Sequence, residues 1–281
     1  MEKVLVTGAN GMFGQDLCPI LEDNGYEVFE TDIHNLDITN FKIVEKIFLD
    51  EKPNIVIHCA AYTNVDKAEE DLETARSINV IGTKNIAKAC KKIDATMVYI
   101  STDYVFGGKD RENNIPFIPS DEVAPLNNYG LTKWEGEVAV RENLEKYYIC
   151  RTSWLYGHHG KNFVETMLSL ADKPELKVVD DQFGCPTWTI ELANAIIKIL
   201  DTKPYGIYHT CGGGATSWFC FAKEAFKLAG LNVNLTPCTT EEFPRLAKRP
   251  TYSIMDNEGL CRDWKIALKE YMALRPESVE V

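Results

Sequence analysis

The sequence predicts a doubly wound α/β fold, a parallel sheet covered by helices on both faces. Three observations predict it. Short β-branched runs alternate with longer helical patterns through the first half of the chain. The runs are apolar at successive positions, as strands buried on both faces must be. The segments between them carry apolar residues three and four apart, as residues 75–92 do at Ile78, Ile81, Ile86 and Ala89.

Taken in order, residues 3–7, 27–31, 54–58, 96–101 and 147–152 read as strands. From about Gly157 the alternation loosens, with helical patterns at 162–171, 191–200 and 219–229 and one more strand at 206–209. Residues 107–128 hold three prolines and a charge cluster, and read as a surface loop. The expected organisation is a first domain over 1–156, a smaller domain made mainly of 157–281, and a return to the first domain near 188–210. Ligands of such sheets bind beyond the carboxyl ends of the strands, so the chemistry belongs just after Thr7, Thr31, His58, Ser101 and Thr152.

Composition narrows the function. With 281 residues, 45% hydrophobic and 26% charged, the chain can bury a sizeable core and is neither disordered nor collagen-like. Its 30 Lys and Arg against 42 Asp and Glu leave a net charge of -12, which disfavours nucleic-acid partners. No uncharged apolar stretch reaches the ~18 residues of a bilayer crossing. The first residues enter a strand pattern without a secretory leader, so a cytoplasmic address is expected. Nine cysteines, an odd number without a C-x-x-C pair, read as reduced core thiols, and no metal-ligand set stands out.

Directly after the first strand stands Thr7-Gly8-Ala9-Asn10-Gly11-Met12-Phe13-Gly14. Gly8 permits a tight turn, Gly11 lets backbone N–H groups approach a pyrophosphate at a helix N-terminus, and Gly14 lets helix and strand pack closely. This is a dinucleotide site in a Rossmann-type sheet. Pro19 would fall inside the following helix and should kink it or shift its start. Eighteen residues past Gly14, Asp32 ends the second strand, where a carboxylate can bind the adenosine ribose and repel a 2′-phosphate. NADH is therefore expected over NADPH.

Tyr129 and Lys133 are four apart, on one face of a helix, where the ammonium should lower the phenol's pKa and make it a better proton donor to a ketone. Thr102, leaving the fourth strand in Ser101-Thr102-Asp103, offers a hydroxyl to the same oxygen. The glycine turn, Cys59-Ala60-Ala61-Tyr62, the Ser-Thr-Asp stretch and Tyr129-x3-Lys133 together resemble the extended short-chain dehydrogenase/reductases. Within that group, Ala60-Ala61-Tyr62-Thr63-x-Val65-Asp66-x-Ala68-Glu69, Arg151-Thr152-Ser153-Trp154-x-Tyr156 and Asp181-Gln182-x-Gly184-x-Pro186-Thr187 resemble the dTDP-4-dehydrorhamnose reductase family. The match spans most of the chain and thins after Thr187, where Arg249-Pro250 is the main shared feature.

The resemblance implies reduction of the C4 ketone of a dTDP-linked 6-deoxy sugar for cell-surface polysaccharide. It assigns proton donation to Tyr129, ribose binding and tuning to Lys133, and polarisation of the ketone to Thr102. Asp103 and Trp154 would touch the sugar, while Gly8, Gly11, Met12, Phe13, Asp32, Asp37, Ile38, Ala60, Ala61 and Tyr62 would line the cofactor. It also implies that NADPH is accepted beside NADH, and it allows a homodimer and magnesium at an interface, although no metal is expected to be required. A dehydratase would need a carboxylate where Tyr104 stands. Another nucleotide-sugar reductase or an epimerase of the same superfamily, and a non-catalytic regulatory subunit resembling the methionine adenosyltransferase β subunit, remain as alternatives. Arg245, Lys248 and Arg249 are candidates for a diphosphate clamp or for solvated surface charge, whereas His58 reads as a core histidine and His158 and His159 as loop residues.

Overall fold

The computed structural model of the chain describes residues 1–107 and 115–275. Its first half is β1 (Lys3–Thr7), α1 (Met12–Asp23), β2 (Glu27–Thr31), α2 (Phe41–Glu51), β3 (Ile55–His58), α3 (Val65–Glu70), α4 (Leu72–Arg76), α5 (Thr83–Ile93), β4 (Thr96–Thr102), α6 (Asn128–Asn143) and β5 (Tyr147–Thr152). The second half adds β6 (Leu155–Tyr156), α7 (Phe163–Leu168), β7 (Leu176–Val179), β8 (Phe183–Gly184), β9 (Thr187–Trp188), α8 (Thr189–Thr202) and β10 (Gly206–His209). After these come β11 (Thr216–Ser217), α9 (Trp218–Leu228), β12 (Leu235–Cys238) and α10 (Trp264–Leu274).

Six strands form one parallel sheet in the order β10-β5-β4-β3-β1-β2. Thr7 stands opposite both Thr31 and His58, and Thr102 opposite Thr152, so the strands end along a common edge. Alternate side chains serve the two faces. Val4, Val6 and Ile57 pack under α1 and α8, while Leu5, Val56 and Met97 pack under α2, α5 and α6. β2 departs from the expected run of buried residues, because it is an edge strand and leaves Glu27 and Glu30 exposed. Chain order reverses across β1, which has β2 on one side and β3 on the other, and opens a crevice at its carboxyl end.

Three helical expectations need correcting. α1 begins directly after Gly11 and runs through Pro19 without a shifted start, since burial of Leu17, Cys18 and Leu21 outweighs one forfeited N–H bond. The helix expected over 75–92 is interrupted by a π turn over Ser77–Gly82. The wider turn changes the helical phase, and Ile81 is left 49% exposed while Ile86 and Ala89 stay buried. The pattern at 162–171 yields only α7, N-capped by Asn162.

The expected surface loop is partly interior. Phe117 is buried and stacks on Phe106 at 4.2 Å, and the Pro119 carbonyl accepts from Arg151. Its residues 108–114 lie outside the described residues. The short strands pair as β11 with β8, β12 with β7 and β6 with β9, and α7, α9 and α10 enclose an aromatic cluster of Tyr156, Trp188, Phe221, Trp264 and Tyr271. All nine cysteines are free thiols. Among the described residues no helix is long and apolar enough to cross a membrane.

Helix α6 is tied to the sheet by charge. The fully buried Glu137 accepts from Arg151 Nε at 2.9 Å, Arg151 Nη2 at 2.7 Å and the Ser101 hydroxyl at 2.6 Å. Removing one partner of such a pair strands a charge in the interior. Glu137→Gln is therefore expected to cost about 3–5 kcal/mol, checked by the shift in chemical-denaturation free energy.

Candidate active site

A cavity of about 710 Å³ opens at the carboxyl edge of the main sheet. The glycine turn, Asp32 and Asp37 line one part of it, and Thr102, Asp103, Tyr129 and Lys133 another. Trp154, Trp218 and Lys161 bring in the later chain.

The glycine turn is built for close approach. Gly8 has φ +69°, and a Cβ there would stand 2.8 Å from the Ala60 nitrogen. A Cβ on Gly14 would stand 2.5 Å from the Gly8 and Ala9 carbonyl oxygens. Gly11 caps α1 without a side chain, and the Gln15 N–H closes the helical bond to the Gly11 carbonyl. The N–H groups of Met12, Phe13 and Gly14 thus precede the first helical bond, a suitable seat for a pyrophosphate. Asp32 accepts from the Asn10 N–H at 3.2 Å and the Ile33 N–H at 2.7 Å, which ties this turn to β2. Asp37 accepts from the Thr39 N–H at 2.9 Å, and the neighbouring Ile38 carbonyl accepts from Asn85. This sterically bare turn, with a carboxylate at the next strand end, fits a dinucleotide.

Ala60 and Ala61 line the same cavity, but Tyr62 does not. Asn79, on the π turn, accepts from the Tyr62 N–H at 2.8 Å, donates to its carbonyl at 3.1 Å and donates to Thr132 at 3.0 Å. The π turn therefore locks the segment after β3 against α6.

Tyr129 lies in the first turn of α6, which Asn127 caps by accepting the Gly130 N–H. Its ring meets Tyr104 edge-on at 5.7 Å, and its phenol bonds to Thr102. Burial pushes the phenol up to about 12, with the bond to Thr102 opposing and the Asp103 carboxylate adding to the rise. The expected lowering by Lys133 is thus overturned. Lys133 Nζ instead donates to the Ile100 carbonyl at 2.6 Å and sits 4.1 Å from the centre of the Tyr99 ring. Burial lowers its own pKa to about 7, against the opposing charge of Glu137.

Thr102 donates to Asp103 Oδ1 at 3.1 Å and accepts from the Tyr104 N–H at 3.2 Å. The other oxygen of Asp103 accepts from the Ser253 hydroxyl at 2.6 Å, and burial pushes the carboxyl up to about 7. Trp154, at φ +47°, lies face to face with Trp218, the ring centres 3.5 Å apart and the planes 7° from parallel.

His58 is a satisfied core histidine between the Thr7 and Thr83 hydroxyls, and burial lowers its pKa to about 3. Arg249 pairs with Asp66 at 3.0 Å and Arg245 lies over the Phe243 ring, and neither these two nor Lys248 is among the residues lining the cavity. Among the described residues no group of three or more His, Cys, Asp or Glu could hold a metal ion. Glu137, Trp218 and Lys161 were not anticipated as site-forming. Glu137 carried a legible signal, since it continues the four-residue spacing from Tyr129 and Lys133, whereas Trp218 and Lys161 reach the cavity only through the folding of a distant segment.

The fold and the site together define the class, a Rossmann-type fold of the reductases and epimerases. More narrowly, the chain belongs to the family described as the RmlD substrate binding domain, whose model matches residues 1–280. A solved dTDP-4-dehydrorhamnose reductase from Clostridium acetobutylicum is 50% identical with a TM-score of 0.93, covering 97% of this chain and 99% of that one. The same enzyme from Bacillus anthracis, solved in complex with NADP, is 42% identical with a TM-score of 0.92, covering 97% and 99%. A dTDP-4-dehydrorhamnose reductase from Streptomyces griseus is 40% identical, over 95% of this chain and 91% of the relative.

Burial of Lys133 makes stability depend on pH. Its protonated form is the disfavoured one in the fold, so the cost is complete below pH 7 and fades as pH rises towards the ordinary 10.5. Lys133→Met should therefore be more stable than the parent, most of all below pH 7, with the gap closing above it. Denaturation midpoints measured across pH check this, and a difference that ignores pH would contradict it.

Proposed function

We propose that this protein is an NAD(P)H-dependent oxidoreductase that reduces the C4 ketone of dTDP-4-dehydro-L-rhamnose to dTDP-L-rhamnose. The carrying observation is one cavity that joins a bare glycine turn and Asp32 to the Thr102, Tyr129 and Lys133 group. Relatives at 40–50% identity over nearly the whole chain, named for this reaction, support it. In this reading residues 1–156, together with the return through α8 and β10, hold the cofactor, and residues 157–281 mainly supply the sugar side.

A nicotinamide dinucleotide held by its pyrophosphate at the glycine turn would supply the hydride. The chain's own residues handle the oxygen. Burial keeps the Tyr129 phenol protonated through the neutral range, as a proton donor requires. Thr102, whose hydroxyl donates to Asp103, turns it to a ketone oxygen placed between it and Tyr129. Tyr129 Oη passes its proton to that oxygen as negative charge builds there. Lys133, protonated below about pH 7 and anchored at Ile100, holds a ribose and steadies the phenolate that remains. Asp103 and Trp154 contact the sugar, and Trp218 backs the Trp154 ring.

Asp32 faces the adenosine end, and its charge favours NADH while leaving NADPH usable. The Bacillus anthracis relative holds NADP, so the preference rests on this carboxylate alone.

Purified protein given dTDP-4-dehydro-L-rhamnose should consume NADH or NADPH stoichiometrically, which an epimerase would not do. Tyr129→Phe is expected to lower kcat by about 100-fold or more while cofactor binding persists. A near-normal rate for that variant would remove Tyr129 as the donor. Asp32→Ala should raise kcat/KM for NADPH relative to NADH several-fold, read from initial rates with each cofactor, and an unchanged ratio would count against the charge reading.

A further inference from the structure

Lys161 is the feature of the cavity that the reaction leaves unused. Among the described residues two cations line the cavity, Lys133 and Lys161, against the carboxylates of Asp32, Asp37 and Asp103. Lys133 is buried and bound to the Ile100 carbonyl. Lys161 is exposed at the cavity, and its ammonium has no hydrogen-bond or ion-pair partner among the described residues. An ammonium that lines a cavity without a partner of its own is free to meet an anion brought in by a ligand.

The segment that carries it is held in place. Asn162 donates to the Gly157 carbonyl at 2.7 Å, closing the loop on itself, and His158 stacks on Tyr271 at 4.3 Å. His159 Nε2 stands 3.3 Å from Asp16 Oδ1, and the other oxygen of Asp16 accepts from the Thr189 hydroxyl. Asp16 lies one helical turn beyond Met12 on α1, so the loop is fastened beside the helix that opens at the glycine turn. Gly160 has φ +85°, and a Cβ there would stand 3.9 Å from the Met12 Cβ. On its other side, Phe163 packs on Trp218 at 4.5 Å. Lys161 therefore lies between the phosphate turn and the tryptophan pair, on a loop fixed to both.

We propose that Lys161 is a binding residue for the diphosphate of a nucleotide ligand, in the first place the pyrophosphate of the nicotinamide dinucleotide seated on the glycine turn. The assignment rests on the functional reading above. The N–H groups at the start of α1 meet a pyrophosphate from one side, and Lys161 adds a point charge from the loop facing it. A sugar nucleotide presents the same chemistry from the tryptophan side, so the two sources are separated by experiment.

The affinities of NADPH and of dTDP are measured separately by calorimetry on the full chain, for the parent and for Lys161→Ala, Lys161→Glu and Lys161→Arg. NADPH binding is expected to weaken about tenfold in Lys161→Ala and further in Lys161→Glu, and to recover in Lys161→Arg. The loss should shrink as salt is added, because the contact is exposed. Weakened dTDP binding with unchanged NADPH affinity would give Lys161 to the sugar nucleotide's diphosphate instead. Unchanged affinity for both ligands in Lys161→Ala and Lys161→Glu overturns the proposal while leaving the reductase reading standing. A parent that binds neither ligand would overturn both.

Discussion

The site depends on one buried carboxylate. Glu137 has no exposed surface, yet it satisfies both its oxygens through the Arg151 guanidinium on β5 and the Ser101 hydroxyl on β4. A charge in that position tolerates little displacement, because any slip of α6 would leave it unpaired in a low-dielectric interior. Its constraint reaches the chemistry directly. Lys133 and Tyr129 lie one and two helical turns before Glu137 on the same face, so the pair that fixes the helix also fixes them. Arg151 is held in turn by the Pro119 carbonyl and by the Phe106 ring, 5.0 Å away.

The same burial brings an acid and a base towards neutrality from opposite directions. Desolvation disfavours charge of either sign, so it raises Asp103 and lowers Lys133, both to about 7. Tyr129 moves the other way from what a neighbouring ammonium would do, because Lys133 is directed at the Ile100 carbonyl and desolvation is the larger effect. The Tyr129 phenol thus holds its proton through the neutral range.

The far wall of the cavity is assembled by a separate part of the chain. Trp154 stands in the left-handed region immediately after β5, a conformation that costs an ordinary side chain free energy and persists where packing enforces it. Stacking on Trp218 is that packing, and Gly184 leaves the space, since a Cβ there would stand 2.6 Å from the Trp154 indole nitrogen. Three segments remote in sequence therefore meet at one indole.

Local pattern made much of this legible. The five strands of the first half, the glycine turn and the Tyr129–Lys133 spacing each depend on residues within a few positions of one another, where periodicity and turn chemistry act, while Asp32 and Thr102 were legible from their places at strand ends. The π turn over Ser77–Gly82 was not legible, because an apolar residue at Ile81 satisfies the helical spacing until the wider turn rotates it outward. Nor was the direction of the Tyr129 shift, which follows from how much water the fold removes and from where Lys133 Nζ points. What the sequence by itself determined is the parallel sheet and the chemical groups at its carboxyl edge. Tertiary structure alone decided that Tyr62 is not among the residues lining the cavity, that Trp218 and Lys161 join it, and that burial outweighs charge at the phenol. Solvent exclusion and contacts between distant segments are properties of the packed chain, with no counterpart in the spacing of residues along it.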